Sequence, residues 1–247
     1  MSSWSKVRHH FMFRVKVQAK SQFLALALAL LVIIGSGTPA FASTWTAQTS
    51  GTTNSLQSVA YGGSQFVAVG EGGTILTSPD GVTWTAQTSG TTKFLFGIAY
   101  GGSQFVAVGE GGTIRTSPDG TTWTAQTSGP PNALFGIAYG GSQFVAVGTV
   151  GTILTSPDGV TWTAQTSGTM ENVNGVAYGG SQFVAVGTVG TIRTSPDGAT
   201  WTPRTSGTTN TLLGVVYGGS QFVAVGTSGT RTSPNGMTWT AQSSGGP

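Results

Sequence analysis

Glu71 and Glu110 occupy the same place in two successive copies of a Glu-Gly-Gly motif, 39 residues apart. Two facing carboxylates could share acid and base duties on a glycosidic bond. These two come from adjacent units, however, and acidic groups on neighbouring turns are expected to be solvated rather than paired. Both histidines lie within the first twenty residues and there is no cysteine, so the rest of the chain lacks the residues for a His- or Cys-based nucleophile and for a nitrogen- or sulfur-rich metal site. What remains is a polar and aromatic set: Glu71, Lys93, Phe94, Phe96, Glu110, Phe135, Glu171, Asn172 and Asn174. Such residues suit binding better than bond breaking, and no metal or cofactor is expected.

Where these side chains fall is governed by an internal repeat. Trp45, Trp84, Trp123, Trp162 and Trp201 are each 39 residues from the next, and Trp239 follows after 38. Residues 45–83 and 84–122 differ at seven of 39 positions. A period of this length marks one supersecondary unit used several times. Each unit carries four short β-prone runs, in the first copy "LQSVAY", "QFVAVG", "TILTS" and "TWTAQT", separated by "GGS", "EGG" and "SPDG". Short glycine-rich connections make antiparallel hairpins, so each unit is a four-stranded meander. In "FVAVG" neither alternating set is polar, as expected of a sheet covered on both faces. Meanders of about 40 residues stacked radially give an all-β, five-bladed β-propeller. A β-solenoid and a larger ring assembled from two chains are the competing architectures.

The corner "TSPDGVTW", Thr77 to Trp84, recurs with little change and ends as "TSPNGMTW". Pro79 presets φ for a type I turn, Asp80 can accept from nearby backbone amides, and Gly81 supplies a positive φ. Trp84 follows as a large apolar group to bury. A stabilising role accounts for the repetition.

The pattern S-P-D-G-x-T-W resembles the Asp-box, or BNR, repeat of sialidase-like propellers and of related propellers similar to photosystem II assembly factors. The resemblance covers Ser43 to Pro247. It assigns the box positions to Asp80 and Trp84, Asp119 and Trp123, Asp158 and Trp162, Asp197 and Trp201, and Asn235 and Trp239. The usual box reads S-x-D-x-G-x-T-W, and here one residue is missing between Asp and Gly. Sialidase chemistry would imply converging arginines, a tyrosine nucleophile with a glutamate partner, and an acid. Arg115, Arg193 and Arg231 fall at equivalent positions in different blades, and Tyr61, Tyr100, Tyr139, Tyr178 and Tyr217 end the innermost strands beside an invariant turn. Neither set should converge on one substrate.

Six "TWTAQ"-like strands accompany only five sets of the other three. The last unit lacks an isoleucine and has Asn235 for Asp, a loss that would flip the facing of its strand unless a bulge absorbs it. The expectation is therefore ring closure by the terminal strands, with the Trp45 strand completing the blade of Leu212 to Ser233 and the Trp239 strand surplus.

In such a meander the blade connectors share a face with the "EGG" turns, and the "GGS" and "SPDG" turns lie opposite. The "GGSQF" turn is invariant, whereas the connectors read "TTNSLQS", "TTKFLFG", "PPNALFG", "TMENVNG" and "TTNTLLG". Divergence on one face points to a non-catalytic scaffold binding an unknown protein or glycan there. A lectin-like carbohydrate-binding propeller is the alternative, and a sialidase-like glycoside hydrolase the least favoured.

The formal charge of +3 is misleading. Lys6, Arg8, Arg14, Lys16 and Lys20 precede "FLALALALLVII", and "GSGTPAFA" follows it. A basic region, a short apolar core and a small-residue exit read as a secretory signal peptide over residues 1–42. Twelve apolar residues fall short of the roughly 20 that span a bilayer, so stable membrane insertion after cleavage is not expected. The remainder, 43–247, is one propeller domain with five basic and seven acidic residues, net −2. A weakly acidic protein, exported to the periplasm or the exterior, has no electrostatic case for nucleic acid.

Overall fold

The computed structural model describes residues 46–242. Residues 1–42, expected to be a signal peptide, and Trp45 lie outside the described residues. Twenty strands form five four-stranded antiparallel sheets, each built from four consecutive strands in sequence order. Blade one comprises β1 (Leu56–Gly62), β2 (Gln65–Gly70), β3 (Ile75–Ser78) and β4 (Thr85–Gln87). Blade two comprises β5 (Leu95–Gly101) to β8 (Thr124–Thr127), and blade three β9 (Leu134–Gly140) to β12 (Thr163–Gln165). Blade four runs from β13 (Val173–Gly179) to β16 (Thr202–Arg204), and blade five from β17 (Leu212–Gly218) through β18 (Gln221–Gly226) and β19 (Thr230–Ser233) to β20 (Thr240–Gln242). This is a five-bladed propeller, as the repeat predicts.

The turns explain the hairpins. Gly62 pairs with Gln65 across a two-residue loop in which Gly63 and Ser64 have φ of 52° and 66°. Positive φ at both positions is the geometry whose twist matches the flanking strands. The next connection, Glu71–Gly73, is a single 3-10 turn.

The core lies between blades. Val67, Val69 and Ile75 of blade one pack on Ile98, Phe105 and Ala107 of blade two, with Tyr100 and Trp123 at the edge. The same contact recurs between blades two and three, three and four, and four and five. Inner strands β1, β5, β9, β13 and β17 therefore stand side by side in series. Blades one and five do not pack together in this way.

Among the described residues, closure by the terminal strands is not seen. β20 pairs with β19 and completes blade five, so the Trp239 strand is not surplus, and residues 46–50 form no strand. The lost isoleucine does not flip β19 either. Arg231 still pairs with Ala224, as Arg193 pairs with Ala185, because the residue is removed from the preceding turn. Thr230 then occupies the register position of Ile192 in blade four.

Candidate binding face

Connectors and Glu71-type turns share one face, joined by repeated bonds. The Glu71, Glu110, Thr149, Thr188 and Thr227 amides donate to the carbonyls of Ser55, Phe94, Ala133, Asn172 and Thr211. The opposite face carries the Ser-Pro-Asp-Gly corners. Asp80 Oδ1 accepts from the amides of Val82 and Thr83 at 2.8 and 2.9 Å and from Ser78 Oγ at 3.0 Å. The backbone donors of Thr83 and Val82 hold its carboxyl below the usual carboxylate range. Asp119, Asp158 and Asp197 repeat the arrangement with the same direction of shift. The Trp84 indole N–H donates to the Gly81 carbonyl at 3.2 Å, and Gly81 has φ of 76°. In these corners the aspartate and the tryptophan are both tied to the turn backbone.

The candidates on the connector face divide into two groups. The acidic and amide residues are largely engaged in holding the rim together. Glu71 Oε2 accepts from the Ser55 amide at 3.3 Å, and Glu171 Oε2 from the Thr188 hydroxyl at 2.6 Å. Asn172 Oδ1 accepts from the Val150 amide of the preceding blade at 3.0 Å, and Asn174 Nδ2 donates to the Leu212 carbonyl of the next at 2.8 Å. Glu110 accepts from the Phe94 amide at 3.4 Å and pairs with Lys93 Nζ at 3.7 Å. Both partners of that ion pair are more than half exposed, so it contributes little stability. Glu71 and Glu110 each bond to their own connector and make no carboxylate pair.

The aromatic group converges. The Phe94 and Phe96 rings stack with centroids 4.8 Å apart, and Phe96 meets Phe135 of blade three edge-on at 5.5 Å. All three are half-buried. Their position has a cause that the sequence reading missed. In every inner strand one residue is bulged: the register skips between Leu56 and Ser58, Leu95 and Gly97, Leu134 and Gly136, Val173 and Gly175, and Leu212 and Gly214. The residues so displaced are Gln57, Phe96, Phe135, Asn174 and Leu213, four residue types in five copies. A bulge re-aims one side chain out of the ladder and is common beside functional sites. Aligning the copies exposes this column as the most divergent within the strands, a signal available from sequence.

The arginines and tyrosines behave as packing residues. Arg115, Arg193 and Arg231 each donate from an Nη2 to a carbonyl of the connector leading into their own blade, those of Gly90, Gly168 and Gly207, at 2.8, 2.7 and 3.3 Å. They do not converge on a common point. Each tyrosine packs on the phenylalanine opposite it at 4.7 Å. A groove of about 800 Å³ beside blade one is lined by Ser50 to Thr52, Leu76, Trp84, Ala86 and the connector to blade two. Leu76 stands there at the position that Arg115 and Arg193 hold in blades two and four. Among the described residues, no group of three or more His, Cys, Asp or Glu could hold a metal ion.

Residues 32–136, less than half of the chain, match the family model described as the DUF6242 beta propeller domain. No curated protein matches the sequence. Among solved structures, "YCF48 bound to D1 peptide" is similar at 21% identity and a TM-score of 0.56, over 71% of this chain and 62% of that one. YCF48 from Cyanidioschyzon merolae is similar at 16% identity and a TM-score of 0.57, over 76% and 70%. The WD40 beta propeller domain of Doa1 is similar at 14% identity and 0.53, over 69% and 61%. The chain thus spans about 62% of the length of the peptide-bound YCF48. At these identities the likeness is one of fold, and that fold is the β-propeller.

Proposed function

We propose that this chain is a non-catalytic binding scaffold that takes an extended apolar segment of another protein across its connector face, at Phe94, Phe96 and Phe135. The observation that carries this reading is the convergence of three aromatic rings from two blades at bulged or connector positions. Aromatic anchors beside a rim whose polar groups are already satisfied suit a peptide that adds side chains rather than charges. The peptide-bound state of the similar YCF48 structure supports the same class of partner. Export fits the leader-like residues 1–42, and the Ser-Pro-Asp-Gly corners fit a shortened Asp-box used for stability. Among the described residues, the absence of converging arginines, carboxylates or tyrosines favours binding over hydrolysis.

The test is selection from a displayed random-peptide library on the full chain expressed for export. Selected peptides should be rich in large apolar residues and should lose about tenfold or more in affinity on Phe96→Ala or Phe135→Ala. Arg193→Ala, at a blade joint on the outer strands, should leave affinity unchanged. Selected peptides indifferent to all three phenylalanines, or binding confined to a glycan array, would overturn the reading.

A further inference from the structure

Four times within the chain, one blade's trailing side seats the leading side of the next by the same set of contacts. Gly62, Gly101, Gly140 and Gly179 lie flat under the rings of Tyr100, Tyr139, Tyr178 and Tyr217, so that an added Cβ would come within 2.0 Å of the ring carbon. Gln104, Gln143 and Gln182 donate to the corner carbonyls of Asp158, Asp197 and Asn235 in the following blade at 2.5, 2.6 and 2.6 Å, and Gln65 does the same to Asp119. Valines of the trailing side pack on the phenylalanine and alanine of the leading side.

Each series has one unmatched member at either end of the arc. Gly218 has nothing within 4 Å of an added Cβ, while Tyr61 is 46% exposed. Among the described residues, Gln221 and the Asp80 carbonyl are the two members of the glutamine series without a counterpart. Val216 is 44% exposed at the blade-five position where Ala60, Ala99, Ala138 and Ala177 are buried in the other blades. Phe66 is half-buried where Phe105, Phe144, Phe183 and Phe222 are fully buried.

We infer that the trailing side of blade five docks the leading side of blade one of a second copy of this chain. The occupant is fixed by continuity with an existing interface: the two end surfaces are near-copies of surfaces that already fit each other four times. Tyr61 of one copy covers Gly218 of another, and Gln221 reaches the Asp80 carbonyl. Such a contact is heterologous, head to tail, and repeats until the copies close or run on as a helix. Two positions depart from the internal joints, Val216 for alanine and Thr230 for isoleucine, so the contact is weaker than those within the chain.

The test is sedimentation of the full chain, expressed for export, over a wide concentration range. Wild type should associate reversibly. Gly218→Ala should abolish association and, at concentrations where the wild type is monomeric, leave the melting temperature unchanged, whereas Gly179→Ala, which meets Tyr217, should lower it. Tyr61→Glu should also abolish association alone. A mixture of the Gly218→Ala and Tyr61→Glu chains keeps one good end on each partner and should form a one-to-one complex and nothing larger. A wild type that stays monomeric, association that survives both substitutions, or a mixture that fails to pair would each overturn the inference. The surfaces are distinct from the connector face, so peptide binding and self-association fail independently.

Discussion

The two faces of this propeller are cut from one repeat yet have had different fates. On the corner face, four aspartates make the same two backbone bonds, and the fifth copy keeps them with Asn235 Oδ1 accepting from Met237 and Thr238 at 3.0 and 3.2 Å. On the connector face the equivalent column reads Gln57, Phe96, Phe135, Asn174 and Leu213. The lesson is mechanical. A corner that pins a strand, a tryptophan and the next blade at once tolerates little change. A bulged residue already lifted out of the ladder can vary without loosening the sheet.

The largest expected effect that sharpens the contrast is on the corner side. Trp201 is 8% exposed and its indole donates to the Gly198 carbonyl at 2.7 Å. Trp201→Ala should cost about 3–5 kcal/mol, read as a lower denaturation midpoint, while Phe96→Ala should cost distinctly less and act on binding instead. Equal stability losses would erase the distinction between the faces.

Acid comes next. The aspartates of the corners have carboxyls held below the unfolded value of about 3.9 by backbone donors. A depressed carboxylate contributes stability that is complete above that value and lost as pH falls through the folded one. Thermal melts should therefore be flat from neutrality to about pH 4 and fall below it. The Asp158→Asn chain should show a shallower acid slope. A slope unchanged by that substitution would place the acid sensitivity elsewhere.

The smallest effect probes the connector face. Val150 and Val189 hold φ of 53° and 52°, where blades one and two have Gly72 and Gly111. A left-handed β-branched residue costs about 1–2 kcal/mol, and glycine returns part of that as chain entropy. Val189→Gly should raise the melting temperature by about 1–3 °C. A fall would mean that the valine packs more than its 57% exposure indicates.

Much of this was legible in the sequence. The "QFVAVG" strands, the corner with its tryptophan, and the assignment of turns to faces follow from period, apolar pattern and turn chemistry, and the structure agrees. The aromatic cluster was legible as residues but not as a cluster, because its convergence depends on a bulge, which a register of twos does not announce. The rim roles of Glu71, Glu171, Asn172 and Asn174 were invisible for a related reason: their partners lie 16 to 38 residues away, across turns and blade boundaries. The place of the Trp239 strand was misjudged because a missing isoleucine was assigned to the strand, when the exposed turn before it could give up a residue at less cost.

The most direct test of the connector face as the binding face is a hydrogen-exchange footprint of the chain with a selected apolar peptide bound. Slower exchange should appear at residues 91–97 and 131–136, with residues 62–65 and 79–83 unchanged. Protection at the corners, or none at the connectors, would contradict it.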